Sequence, residues 1–266
     1  MKKRGQGYQL NWVFVVFAGV IILSFFIFFG VRYMGLKSHQ ENAEIANAIN
    51  DLVYGLSSAT QYNSIEMPWE FTLRRTSCDK FKINEDFEKS FGDKIVFWPD
   101  EIESKELLVW TKDFNKPFFV ANLIYLIDPN KDYYIVGNTN IDVPFDNIHQ
   151  VPVYNGEGII IYVQGDSIKF QDGEQVVNLG DEIVLAALFS ENFYNYNCAF
   201  TKLMEKHEIV KRVYYQKTFE LQGSCDYSLI KQILTRNVVV DTMETFSSNL
   251  DSANYDLWQQ GCEVVF

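Results

Sequence analysis

The sequence predicts an α+β protein carried on a single N-terminal transmembrane helix, with a β-rich half followed by a helical C-terminal half. Three features carry that prediction: an uncharged apolar run near the N-terminus, a middle region of short β-branched and aromatic runs, and a lengthening of the apolar period after Gly180. The expected organisation is a cytoplasmic tail over 1–11, a transmembrane helix over 12–33, a membrane-proximal amphipathic helix over 38–57 and an extracytoplasmic α+β domain over 65–266.

From Trp12 to Val31 the chain reads WVFVVFAGVIILSFFIFFGV, with no charge and Ser24 as its only polar side chain. At about 1.5 Å per residue this run matches the roughly 30 Å hydrocarbon core of a bilayer. Trp12 and Tyr33 stand at its ends, where amphipathic rings favour the headgroup layer. Lys2, Lys3 and Arg4 precede the run and only Arg32 and Lys37 follow it closely, which places the N-terminus inside. A cleaved secretory signal would have an apolar stretch of about 7 to 15 residues followed by small residues. Here the run is longer, and Phe28, Phe29, Arg32 and Tyr33 occupy that place.

Lys2-Lys3-Arg4-Gly5-Gln6, a basic cluster followed by Gly and Gln ahead of an apolar helix, resembles the class III signal of archaeal type IV pilins and related surface-filament subunits. The resemblance spans about the first thirty residues. It implies cutting between Gly5 and Gln6 by a prepilin peptidase and use of the helix as a filament core. Many such subunits carry Gln-x-Ser-x-Glu after the cut, whereas Tyr8 and Leu10 hold the Ser and Glu positions here. Read instead as a topogenic charge cluster, the same residues stay on an uncut anchor.

Ser38-His39-Gln40-Glu41 fits a capping box, and Ile45, Ile49, Leu52, Val53 and Leu56 recur on one helical face. With Gly35 just before it, this cap predicts a break between the transmembrane helix and a second helix that packs on the ectodomain, unlike the long unbroken first helix of a pilin.

Strand signals follow at Phe71–Leu73, Lys94–Phe97, Leu107–Trp110, Phe118–Ile127, Tyr133–Val136, Gly158–Val163, Ser167–Phe170 and Gln175–Val177. Pro99-Asp100, Asp128-Pro129-Asn130, Asn155-Gly156 and Asp172-Gly173 supply turns between them, and the last three strands are spaced as a meander. Helices are expected over Asp181–Phe189, Cys198–Leu221, Tyr227–Thr235 and Asp241–Leu250. The long one should turn Leu203, Ile209, Val210 and Val213 inward.

Cys78, Cys198, Cys225 and Cys262 all lie beyond the apolar run, and an even count outside the membrane points to two disulfides with three possible connectivities. The preferred pairs are Cys198 with Cys225 and Cys78 with Cys262. No Cys-x-x-Cys spacing occurs, and the three histidines are scattered, so no metal or other cofactor is expected. His39 falls in a helix turn, His149 in a loop and His207 in a charged stretch; all three read as solvated surface. Asp100-Glu101 and Asp181-Glu182 are adjacent acids without a partner across a substrate, and the second pair suits a helix N-terminus. Phe193-Tyr194-Asn195-Tyr196 reads as core more readily than as a binding face. No hydrolase, phosphate-binding or dinucleotide motif is present.

Charge divides the chain. Residues 1–37 carry +5, and the remainder of a chain of net charge -12 therefore carries -17. So acidic a domain is repelled by nucleic acid and by anionic lipid headgroups. The first reading is a non-enzymatic, membrane-anchored surface protein that binds another protein or serves envelope assembly. The second is a pilin-like filament subunit, and the third an enzyme whose site is assembled from distant residues.

Overall fold

Gln6–Leu56 forms one 51-residue helix, α1, in a computed structural model that describes residues 6–56, 62–84, 87–154, 156–221, 223 and 225–266. The expected break near Gly35 is absent, and Ser38 lies mid-helix instead of at a cap. A glycine inside a helix costs only about 1 kcal/mol, which the flanking helical turns outweigh. Among the residues of α1 whose side chains are described, only the C-terminal part touches the rest of the protein. Asn42, Ile45, Ala46, Ile49, Val53 and Leu56 recur every three or four residues and are all buried.

They pack on a six-stranded sheet formed by β1 (Tyr62–Arg75), β2 (Lys80–Ile83), β3 (Phe87–Ser90), β4 (Ile95–Phe97), β5 (Glu101–Asn115) and β6 (Phe119–Ile127), in the order β3-β2-β1-β5-β6-β4. Pairing is antiparallel except between β4 and β6. The two-residue period of a strand sends neighbouring side chains to opposite faces, and at the centre of this sheet both faces are covered. Val96, Leu107, Val109, Ile124 and Leu126 join α1 in one apolar cluster. Phe97, Trp110, Leu123, Tyr125 and Ile127 belong to a second cluster on the other side.

A five-stranded sheet follows, built from β7 (Tyr133–Val136), β8 (Ile148–Val151), β9 (Ile159–Gln164), β10 (Ser167–Phe170) and β11 (Gln175–Val177), in the order β11-β10-β9-β7-β8. Strands β9, β10 and β11 form the expected antiparallel meander, while β7 runs parallel to β8 and β9. Strands β2, β3 and β8 had no counterpart in the sequence reading. His149 consequently sits in β8, not in a loop.

Between the sheets lies α2 (Asp181–Ser190), every residue of which from Ile183 onward is buried. A helix apolar on all sides requires cover on all sides. Here β4, β5 and β6 supply it on one side and β7, β9 and β10 on the other. Phe189 joins the layers, with its ring 5.5 Å from that of Tyr125 in β6 and 5.3 Å from that of Tyr133 in β7.

Helix α3 (Phe193–Glu220) begins on Asn192, whose side chain accepts from the Asn195 amide at 2.9 Å. Its buried face carries Tyr196, Ala199, Phe200, Leu203, His207, Lys211 and Thr218. The expected inner residues Ile209 and Val213 point outward instead, at 55% and 59% exposure. Helices α4 (Ser228–Leu234) and α5 (Met243–Gln259), with a 3-10 turn at Val240–Thr242 between them, complete the helical half. The tail after α5 is fixed by Asn254, which accepts from the Val265 amide at 2.7 Å and donates to the Phe266 carbonyl at 3.0 Å.

Candidate assembly helix and the polar clusters of the ectodomain

From Trp12 to Lys37 every residue of α1 is exposed, and none packs against the globular part. Among the described residues this is the one helix long and apolar enough to cross a membrane. At about 1.5 Å per residue the whole helix is roughly 76 Å long, and its exposed part close to 40 Å. The exposed part has no ionisable side chain until Arg32, whose guanidinium lies 5.8 Å from the Phe28 ring centre. Lys37 pairs with Glu41 at 3.6 Å, one turn further on.

The junction of helix and domain is specified by amides. Asn84, in a left-handed conformation at the end of β2, donates to Asn42 of α1 at 2.7 Å and accepts from the Thr72 amide at 2.8 Å. Asn tolerates this backbone region better than most residues. Further along, Lys89 donates to Asn47, and Lys94 lies 4.7 Å from the Tyr54 ring centre. The edge of the sheet thus follows the helix from Asn42 to Tyr54, and the domain begins where the apolar run has ended.

All four cysteines form disulfides, but not in the preferred pairs. Cys78 joins Cys198, and Cys225 joins Cys262. The first ties the β1–β2 turn to the start of α3; the second ties the approach to α4 to the C-terminal tail. The long helix begins earlier than expected and folds back over the sheet, which brings Cys198 to Cys78 and leaves Cys225 beside the tail.

The three histidines also separate. His39 is exposed on α1. His149 is partly exposed, 3.5 Å from Asp132, with its ring 4.9 Å from that of Tyr134 and tilted to it. His207, expected on the surface, is fully buried: its ring stacks 5.3 Å from Phe118, meets Phe246 edge-on and contacts the Lys116 carbonyl through Nε2 at 3.0 Å. Burial lowers its pKa. The charged stretch around it is amphipathic at helical period, so its polar residues populate the outer face while His207 and Lys211 turn inward.

Asp100 belongs to a structural hub. It accepts from Asn192 at 3.2 Å and from Asn195 at 2.9 Å, and lies near the partly buried Arg75, whose guanidinium stacks 4.2 Å from the Trp98 ring centre and donates to the Trp98 carbonyl. Burial depresses the Arg75 pKa to about 10, with Asp100 opposing the shift. Beside it, Glu191 pairs with Lys131 at 2.6 Å, and burial raises the glutamate's pKa against the pull of that lysine. These groups lock the turn between α2 and α3 to both sheets. Asp181 and Glu182 start α2, as expected of acids at a helix N-terminus.

In the aromatic cluster, Tyr196 is buried and Tyr194 is 71% exposed. Gly5 lies outside the described residues, and Gln6 is the first described residue of α1. No group of three or more His, Cys, Asp or Glu is placed to hold a metal ion among the described residues.

The comparisons add no kinship: no family model matches the chain, and neither a curated protein nor a solved structure matches it. What the geometry defines is an α+β domain carried at the end of a long helix whose distal half is an uncovered apolar rod.

Proposed function

We propose that this chain is a membrane-anchored surface protein that assembles with copies of itself through the N-terminal half of α1, as a pilin-like filament subunit. The observation that carries the reading is the unbroken helix, apolar and uncovered from Trp12 to Val31 and packed on a largely antiparallel sheet from Asn42 onward. The break expected near Gly35 was the main structural argument for a plain anchor, and it is gone. An apolar surface of this extent requires cover from lipid or from other helices. Both environments are apolar, so transfer from bilayer to helix bundle is governed by packing, and no ionisable side chain within Trp12–Val31 has to be desolvated.

In this reading the N-terminus is cytoplasmic and the domain extracytoplasmic. The basic residues before Gly5 and the two disulfides, which persist in oxidising compartments, support that orientation. Tyr8 and Leu10 stand where many such subunits have Ser and Glu, so docking here rests on apolar packing alone. That missing acid favours a second reading, an uncut single-pass anchor whose domain binds another protein.

Mass spectrometry of the N-terminal peptide from protein in its own membrane separates the two. A filament subunit begins at Gln6; an uncut anchor retains residues 1–5, and their retention would refute the proposal.

A further inference from the structure

Among the described residues strand β11 is the outer strand of its sheet, with β10 on one side and no strand on the other. Its register pairs Ser167 with Val177, Ile168 with Val176 and Lys169 with Gln175. The flanking bonds, from the Asn178 amide to the Asp166 carbonyl at 2.9 Å and from the Phe170 amide to the Glu174 carbonyl at 2.9 Å, fix the phase of the ladder. Backbone groups alternate in direction along an antiparallel strand. Val176 therefore faces β10, and Gln175 and Val177 turn their N–H and C=O groups to the open edge.

Beside that edge is a cavity of about 390 Å³ between β11, the start of α3 and the 3-10 turn. Val176, Val177, Tyr196, Phe200 and Val240 give it an apolar lining, and among the described residues Asp166 and Asp241 are its only charged groups. Among the described residues no lysine or arginine lines it.

From this juxtaposition we infer that the β11 edge and its cavity form a docking site for an extended, cationic segment of a partner protein. The segment adds a strand to the sheet through Gln175 and Val177, as extended peptides do at open sheet edges. One of its apolar side chains enters the cavity, and a lysine or arginine reaches Asp166 and Asp241. Charge selects the occupant. The β10–β11 hairpin carries Asp166, Asp172 and Glu174 against Lys169 alone, so pairing with the same edge of a second copy would bring like charges together. A basic strand meets the opposite field, and this inference stands independently of what α1 does.

The test uses the full chain in neutral detergent with the capped peptide acetyl-Val-Lys-Val-Lys-Val-amide, followed by hydrogen–deuterium exchange and by anisotropy of a labelled copy. The peptide is expected to slow exchange across residues 174–178, and its affinity should fall as salt rises. The double variant Asp166→Asn, Asp241→Asn should weaken it about tenfold. Val177→Pro, which removes an outward N–H that an edge strand tolerates losing, should abolish protection while circular dichroism shows the fold retained. Failure of the peptide to slow exchange would overturn the inference, as would equal binding of a peptide with Glu in place of Lys. Cross-linking of two copies through Gln175→Cys would overturn it as well, since the edge would then be closed by the protein itself.

Discussion

Replacing Cys78 and Cys198 together with Ala should destabilise the ectodomain more than replacing Cys225 and Cys262. The two disulfides span 120 and 37 residues of separation and close loops that do not overlap. In the chain-entropy treatment the longer loop restricts the unfolded chain by about 5 kcal/mol and the shorter by about 4 kcal/mol. For a domain of this size each kcal/mol moves the melting temperature by roughly 2–4 °C, so opening the longer loop should lower it by about 10–20 °C and opening the shorter by about 8–16 °C. Because the loops are separate, the losses should add in the quadruple variant. Cys78 is exposed, whereas Cys225 and Cys262 are partly buried, so mild reductant should open the long loop first. The assay is thermal unfolding of the full chain in detergent by circular dichroism, with disulfide mapping of the unreduced protein. Finding Cys198 linked to Cys225 would refute the pairing. Equal melting temperatures for wild type and quadruple variant would refute the energetic argument.

His207 should make the domain acid-sensitive. Its folded pKa is lowered by burial, so the unfolded chain binds its proton more readily, and this contribution to stability is present above the unfolded value of about 6.5 and lost as pH falls below it. The buried Glu191 works in the opposite sense, since its pKa is raised. The slope specific to the histidine is therefore read as the difference between wild type and His207→Phe in urea titrations at pH 7 and pH 5; parallel losses in the two proteins would remove the assignment. Gly137→Ala should cost about 1–3 kcal/mol, because the residue has φ +148° and an added Cβ would clash with the Val163 carbonyl oxygen; an unchanged urea midpoint would contradict it. Leu188→Ala, in the last turn of α2 with no exposure, should cost about 2–5 kcal/mol in the same titration, and a loss below 1 kcal/mol would mean that α2 is not enclosed by both sheets.

Residues with a strong period were legible in the sequence. The uncharged run 12–31, the meander β9–β11 and α2 follow directly from composition and spacing, and the stripe Ile45, Ile49, Val53 and Leu56 was placed on the correct face. Short or polar strands were not. Strand β8 reads Ile-His-Gln-Val, and β2 alternates Lys and apolar residues over only four positions, so their pairing depends on distant partners. On α3 Leu203 is buried and Val210 packs on the core as expected, but Ile209 and Val213 were turned inward wrongly, because the packing face continues from Tyr196 and Phe200 at helical period to His207 and Lys211. Disulfide pairing was beyond reach for the same reason: it follows from where α3 crosses the sheet, which spacing along the chain does not encode. A break at Gly35 was argued from local signals alone, and the cooperativity of a long helix overrode them.

The role of α1 is tested most directly by cross-linking along its exposed half. Single cysteines placed in turn at Val20, Ile21, Ile22, Leu23, Ser24, Phe25, Phe26 and Ile27, oxidised in the native membrane and in any surface material sheared from the cells, report which positions meet a neighbouring α1. Assembly through this helix predicts dimers and ladders at positions that recur every three to four residues. Absence of cross-links at every position, in membranes that hold the protein intact, would contradict it.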